Sequence, residues 1–182
     1  PENTTSEFLK KIVRVHKDLQ APATIFMVGR NIEAHLPELE ACLESGLFEI
    51  AQHTYEHYPL KTIVEEDGSM VYLRGLDFDK IEEQLAKPVE LLKKHLGVQC
   101  RGVTAPYTYY RGLSDRPDIL ALVAKHGMSY TRSYGRNCKD YFPLDWDVQP
   151  FFYERQGFPA ILEIPVQGWL DAQWRRDNGW EK

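Results

Sequence analysis

The chain has 182 residues, of which 43% are hydrophobic and 27% are charged. This length and composition are typical of one globular domain, and they exclude the intrinsically disordered and collagen-like classes. The formal net charge of -5 disfavours nucleic acid as a main partner, and no apolar run within the chain reaches the length of a membrane span.

Helical and strand patterns alternate in the first third of the chain. Apolar residues recur at helical spacing over residues 4–19. The continuous apolar run from Ala23 to Val28 predicts a strand buried on both faces. A short helix over residues 37–43 and a second strand over residues 48–51 follow.

The same alternation continues towards the C-terminus. Pro88 predicts a kink or a break in the longest helical pattern. The stretches 64–76 and 134–158 are predicted to be long loops. This alternation predicts an α/β fold, with βα units around a parallel sheet or barrel. The remaining predicted elements are helices over residues 78–96 and 118–126 and strands over 99–103, 128–131 and 160–164.

The three cysteines, Cys42, Cys100 and Cys138, are widely spaced and form no CxxC pair. This spacing favours buried or half-buried thiols over a zinc ribbon or a disulfide scaffold.

The strongest candidate site is the segment QHTYEHYP, which directly follows the predicted strand ending at Ala51. In α/β folds, ligands bind where the carboxyl ends of strands give way to turns. If this turn is helical, His53 and His57 stand at i and i+4 and point the same way. Two neutral imidazoles on one face make half of a site for zinc or a similar divalent ion. The alternative is that two surface histidines fall four positions apart by chance.

The strings ATIFMVG and EIAQHTYEHYPL resemble the polysaccharide deacetylases of the NodB-homology type, which show a TFFVVG-like strand and then EIGNHTxxHP. The resemblance implies a deformed (β/α) barrel in which His53 and His57 bind a divalent metal, with zinc the expected ion. It also implies that an aspartate of an upstream TFDDGP motif completes the metal triad, and that the first aspartate of that motif acts as general base.

The upstream motif is absent from this chain, which begins with Pro1 where the motif would end. We therefore expect a single NodB-like domain over residues 1–182 that lacks its first strand, with truncation at the C-terminus also considered. No catalytic residue is visible, and the general base is expected upstream of Pro1. A relative that has lost the acid altogether is the competing interpretation.

A third family motif has arginine directly before Ala-Pro-Tyr. In this chain the string RGVTAPYTYYRGL places Thr104 at the arginine position, whereas Pro106 and Tyr107 match. The resemblance implies that a backbone N–H near Tyr107 helps to hold an oxyanion. Arg101 or Arg111 is a candidate to replace the missing charge. A packed aromatic corner is the alternative for Tyr107.

The final family motif is Leu-x-His, whose histidine acts as general acid, but no histidine follows His126 here. The string LEIPVQGWLDAQW instead resembles a branch that includes peptidoglycan-type deacetylases and allantoinase-like enzymes. Trp169 and Asp171 are candidates to line a substrate groove, and a core tryptophan on an edge strand is the alternative for Trp169. Asp147 falls roughly at the fourth motif and is a candidate to orient an arginine or a substrate hydroxyl, with a solvated acidic turn as its alternative.

The resemblance implies a metal-dependent hydrolase of non-peptide carbon–nitrogen bonds, which removes acetyl groups from the amino sugars of a polysaccharide or of peptidoglycan. An allantoinase-like ureide hydrolase and a non-catalytic carbohydrate-binding relative are the alternatives. The expected partner is a carbohydrate or small amide substrate. The lack of a signal segment in the given chain slightly favours a cytoplasmic location.

Overall fold

The computed structural model describes residues 2–64 and 72–168, in which helices and strands alternate. Three short 3-10 helices cover Gly29–Asn31, Glu33–His35 and Glu154–Gln156. The α-helices are α1 (Glu2–Leu19), α2 (Leu36–Glu44), α3 (Phe78–Leu96) and α4 (Pro117–Lys125). The strands are β1 (Ala23–Met27), β2 (Phe48–Gln52), β3 (Ile63–Val64), β4 (Tyr72–Leu73), β5 (Gly102–Tyr110), β6 (Tyr130–Arg136), β7 (Phe151–Tyr153) and β8 (Phe158–Glu163).

Six strands form one sheet in the order β1-β2-β5-β6-β8-β7. The pairs β1–β2, β2–β5, β5–β6 and β6–β8 are parallel, and β7 runs antiparallel to β8. The predicted α/β class with a parallel sheet is therefore confirmed. Among the described strands the sheet is open, with β1 and β7 at its edges. Strands β3 and β4 form a separate antiparallel pair.

Two apolar clusters hold the helices against the sheet. One cluster joins α1, α2, β1 and β2 through residues such as Leu9, Leu39 and Ile50, which are at most 1% exposed. The other joins α3, α4 and β5 through residues such as Leu85 and Ile119, which are fully buried. No helix among the described residues is long and apolar enough to cross a membrane.

A buried carboxylate fastens β6, β7 and β8 together. Glu163 accepts hydrogen bonds from the Thr131 and Ser133 hydroxyls at 2.5 and 2.6 Å and from the Tyr153 hydroxyl at 2.6 Å. The backbone N–H groups of Ser133 and Tyr134 also donate to it, at 2.7 and 2.8 Å. The glutamate of the EIP string is therefore fully occupied by protein donors.

Helix α3 has the bounds that its apolar spacing predicts, and Gly97 in the left-handed conformation (φ 66°) ends it. Pro88 lies inside this continuous helix without the predicted break, and its buried ring packs beside Gly29.

Other sequence expectations need correction. The strand Ala23–Met27 is not buried on both faces, because it forms an edge of the sheet and leaves Thr24 exposed. The strand expected over residues 99–103 is β5, which begins later and carries the Ala-Pro-Tyr motif itself. The expected loop over residues 134–158 contains the end of β6 and all of β7. Cys138 is exposed, whereas Cys42 and Cys100 are buried as predicted.

Candidate functional site

The candidate site lies at the edge of the sheet where the carboxyl ends of β1, β2, β5 and β6 meet. This is the edge at which open parallel sheets bind ligands. The chain leaves β2 at Gln52 and turns at once into the histidine segment, defined here as residues 53–57.

The histidine segment is not the helical turn considered from the sequence. Thr54 and His57 both adopt the left-handed conformation, with φ of 57° and 66°. The two imidazoles nevertheless converge, because their ring centroids are 4.6 Å apart with the planes at 76°. The pair therefore forms through an irregular loop rather than through helical periodicity.

Hydrogen bonds from β1 and its extension hold the backbone of this loop. The N–H of His53 donates to Met27 O at 2.9 Å, and the N–H of Gly29 donates to Thr54 O at 2.8 Å. Gly29 is required here, since a Cβ atom at this position would lie 2.7 Å from Pro88 Cγ and 2.8 Å from Tyr55 Cδ2. The loop is thus fixed by a close backbone approach that a larger residue would disturb.

Buried amide side chains hold the other side of the loop. Gln52 is fully buried, and its Oε1 accepts from the N–H of Thr54 at 2.8 Å while its Nε2 donates to Leu85 O at 3.1 Å. Gln84 of α3 accepts from the N–H of Glu56 at 2.9 Å and donates to the Glu56 carboxylate at 2.9 Å. These contacts tie the loop to α3.

The ring of His53 is oriented by the backbone of β5. Its Nδ1 lies 2.8 Å from Thr104 O, so Nδ1 carries the proton and donates while Nε2 is the unprotonated nitrogen. Burial lowers the pKa of His53 to about 4 and also lowers the pKa of His57, with the positive charge of Arg30 as the second cause. Both imidazoles are therefore neutral at neutral pH.

These features fit a divalent metal ion. Metal-binding histidines are neutral, and they donate the other ring N–H to a carbonyl or carboxylate, as His53 does to Thr104. In the part of the chain that the structure describes, no third histidine, cysteine or carboxylate joins the pair to form a metal-binding group. The described residues thus supply two nitrogen ligands, His53 and His57.

The Ala-Pro-Tyr motif reaches the same edge on β5. The pairing of β5 with β6 shifts register between Thr104 and Tyr109, and Tyr107 has a φ of 66°. The Tyr107 ring is exposed and packs edge-on against His57, with centroids 5.2 Å apart. Pro106 is buried and is not among the residues that line the cleft.

A cleft of about 460 Å³ opens beside the two histidines, and we call it the histidine cleft. A further groove of about 600 Å³ adjoins it on the other side of His57 and Tyr107, which line both. None of the described residues lining the histidine cleft is a carboxylate. The wall of the cleft is polar at His53, His57, Thr104, Thr108, Arg132 and Arg136 and apolar at Phe26, Ala105, Tyr107, Phe142 and Val166.

Neither arginine named as a replacement for the missing charge at position 104 lines the histidine cleft. Arg101 pairs with Glu49 at 3.5 Å, and Arg111 packs against the Tyr110 ring. The cleft instead contains Arg132, which sequence reasoning did not identify. Arg132 is the direct partner of Thr104 in the register of β5 and β6, and nothing in the sequence alone aligns these two strands.

The other candidate residues lie elsewhere. Asp147 is exposed on the loop between β6 and β7 and does not line the histidine cleft. Trp169 and Asp171 lie outside the described residues. Gln52, Gln84 and Gly29, which hold the histidine segment, were also not singled out from the sequence as supporting residues.

Comparison with known proteins gives a family match. Residues 2–131 match the model of the family described as Polysaccharide deacetylase. The Peptidoglycan deacetylase of Helicobacter pylori is 25% identical over 179 residues, which cover 90% of this chain and 54% of that protein. The chain therefore spans about half the length of this curated relative.

Solved structures show the same fold. A Mycobacterium smegmatis protein assigned to the polysaccharide deacetylases has a TM-score of 0.60 and 21% identity, over 87% of this chain and 45% of that chain. A CE4 family pseudoenzyme from Bacillus anthracis has a TM-score of 0.54 and 19% identity, over 97% of this chain and 57% of that chain. The predicted NodB-type α/β fold is confirmed by these neighbours.

Proposed function

This chain belongs to the polysaccharide deacetylase family, and we propose that it carries the histidine ligands of a metal-dependent hydrolase that removes acetyl groups from amino sugars. The observation that supports this proposal is the geometry of His53 and His57. Two neutral imidazoles converge at the ligand-binding edge of a parallel sheet, and one of them is oriented by a backbone carbonyl. The name of the Helicobacter pylori relative makes peptidoglycan the first substrate to test.

In this proposal His53 and His57 hold the ion. A divalent ion at such a site, with zinc expected, supplies Lewis-acid polarisation of the acetyl carbonyl and lowers the pKa of bound water. The bond from Nδ1 of His53 to Thr104 O keeps Nε2 available and fixes the plane of the ring. Burial keeps both rings neutral, so they bind an ion without first losing a proton.

The segment around Tyr107 positions the acetylated group. Its backbone turns in the left-handed region at both Tyr107 and Thr108, which places this segment in the wall of the histidine cleft. We assign the N–H groups of this segment to the stabilisation of negative charge on the acetyl oxygen. Phe26 and Phe142 form an apolar wall that excludes water from the reacting group.

The metal ligands are tested by zinc content. We expect the full-length protein to retain zinc after dialysis, and His53→Ala and His57→Ala to weaken zinc binding by about tenfold or more. Elemental analysis and a competing chelator measure both quantities. His126→Ala is the matched control, because His126 is a half-buried histidine beside Glu82 that does not line the histidine cleft. Unchanged zinc retention in His53→Ala would contradict the proposed site.

The reaction is tested by acetate release from peptidoglycan and from N-acetylglucosamine oligomers. We expect acetate to form in amounts equal to the new free amines, and to fall to background in His57→Ala. The ureide alternative predicts instead that a cyclic ureide is hydrolysed and that no acetate is formed from either polymer.

A non-catalytic carbohydrate-binding relative is the second candidate. The observation that favours it is that no described residue lining the histidine cleft is a carboxylate that would accept the proton of water. The fold is also shared with a protein named as a CE4 family pseudoenzyme. Zinc retention and sugar binding without acetate release from the full-length protein would support this candidate over the hydrolase.

A further inference from the structure

Arg132 lines the histidine cleft together with His53 and His57. It lies on β6 opposite Thr104, and Thr104 O is the atom that orients His53. In the sheet, β5 lies between β6 and β2, the strand from which the histidine segment leaves. Both groups line the same cleft of about 460 Å³, a size at which one ligand contacts opposite walls.

The Arg132 side chain has an unsatisfied donor, and the Phe26 ring is its neighbour among the described residues. Its Nε is buried without a hydrogen bond, and its Cζ lies 5.7 Å from the centroid of the Phe26 ring. Burial lowers the pKa of the guanidinium, which still remains charged at neutral pH. A buried N–H donor without a hydrogen bond costs free energy, so the group is suited to receive an anion.

Glu163 is a buried carboxylate whose negative charge acts on Arg132, but it is not the anion that Arg132 binds. Glu163 attracts Arg132, but the oxygens of Glu163 already accept bonds from the hydroxyls of Thr131, Ser133 and Tyr153. Arg136 adds a second positive charge to the same wall, and it donates to Tyr107 O and Thr108 O. The histidine cleft therefore presents fixed positive charge and no carboxylate from the described residues that line it.

We propose that Arg132 binds a carboxylate of the substrate, so that the histidine cleft selects N-acetylated amino sugars that carry an acidic substituent. A guanidinium binds a carboxylate through two parallel N–H···O bonds, which gives both affinity and orientation. Phe26, under the guanidinium, holds it in place from the other side. This specificity rests on the proposed function and adds to it the class of sugar that the site accepts.

The test compares two ligands that differ only in the charge of one group. One is the disaccharide of N-acetylglucosamine and N-acetylmuramic acid, which carries one carboxylate, and the other is its methyl ester. Titration calorimetry on the full-length protein gives the Kd of each ligand, and acetate release is measured separately. We expect the acid to bind about ten- to hundredfold more tightly than the ester. This ratio of Kd values is what one hydrogen-bonded charge pair contributes.

Variants identify the residue that causes the preference. Arg132→Gln is expected to remove the preference, and Arg132→Lys to keep part of it, since lysine retains the charge but not the planar fork. Arg101→Gln is the matched control, because Arg101 is an exposed arginine paired with Glu49 outside the cleft. It should bind both ligands as the unaltered protein does.

The outcomes separate this inference from the proposed function. Equal Kd values for acid and ester in the unaltered protein would overturn the inference, even if acetate is released. An equal loss of affinity for both ligands in Arg132→Gln would also overturn it, because Arg132 would then act on a group common to both ligands or on a carboxylate of the protein. A preference for the acid that depends on Arg132, without acetate release, would support the inference while the hydrolase proposal fails.

Discussion

The histidine pair depends on Gln52, the last residue of β2, which does no chemistry in our proposal. Its buried side chain accepts from the N–H of Thr54, and the Thr54 hydroxyl in turn accepts from the N–H of His57 at 3.1 Å. The left-handed conformation of Thr54 is held by these bonds. At the scale of single residues, the geometry of His57 is therefore set by a chain of two hydrogen bonds that begins in the strand.

We predict that Gln52→Leu destabilises the protein by about 1–3 kcal/mol, because the N–H of Thr54 and the carbonyl of Leu85 lose their partner in a buried position. Urea unfolding with an unchanged m value measures the loss, and zinc affinity should fall with it. Gln149→Leu is the control, since Gln149 is exposed. Equal unfolding midpoints for the two variants would contradict the role given to Gln52.

At the scale of elements, the histidine segment is clamped between the end of β1 and helix α3. Gly29 lies two residues beyond the end of β1 and donates its N–H to Thr54 O, and the ring of Pro88 on α3 packs against Gly29. Pro88, which predicts a kink or a break when only the sequence is considered, thus packs against the loop that carries the histidines. Its missing N–H does not interrupt α3, which is continuous from Phe78 to Leu96.

We predict that Gly29→Ala both lowers stability by about 1–3 kcal/mol and weakens zinc binding, because the new Cβ would lie within 3 Å of Pro88 and Tyr55. Gly97→Ala is the matched control, since Gly97 has a φ of 66° with no atom near its Cβ position. It should cost about 1 kcal/mol of backbone strain and leave zinc affinity unchanged. Thermal unfolding and chelator competition measure the two effects. A normal zinc affinity in Gly29→Ala would show that the clamp does not position the histidines.

At the scale of the whole molecule, the apolar cluster that joins α1, α2, β1 and β2 buries two of the three thiols, Cys42 and Cys100. Burial raises the pKa of Cys42 and of Cys100 to about 11, with nearby negative charge as a lesser cause for Cys42. The neutral thiol is thus favoured in the folded state. As the pH rises above 9, the unfolded chain loses these protons first, so the stability present below pH 9 declines between about pH 9 and 11.

The free energy of unfolding is expected to fall between about pH 9 and 11. We predict that replacing Cys42 and Cys100 by alanine reduces this fall by about 1–2 kcal/mol per thiol. Denaturant unfolding at pH 8 and at pH 10.5 gives the difference. Cys138→Ala is the control, because Cys138 is exposed and lies outside the apolar cluster that buries the other two thiols. Parallel pH profiles for all variants would contradict the prediction.

The sequence predicted those features that depend on near neighbours in the chain. The periodicity of apolar residues and the glycine at position 97 predicted the bounds of α3, and the buried run before position 52 predicted β2. The pairing of His53 with His57 was also expected, although through a helical turn that the chain does not form. Local pattern is a sound guide here because helix propensity and strand burial act over a few residues.

The sequence by itself determined the α/β alternation, the family and the histidine segment. Only the tertiary structure decided that Arg132, and neither Arg101 nor Arg111, stands in the cleft with the histidines. It also decided that the loop is left-handed at Thr54 and His57. The physical reason is that strand register and loop conformation are fixed by packing between segments far apart in the chain, such as Thr104 with Arg132 and Gly29 with Pro88.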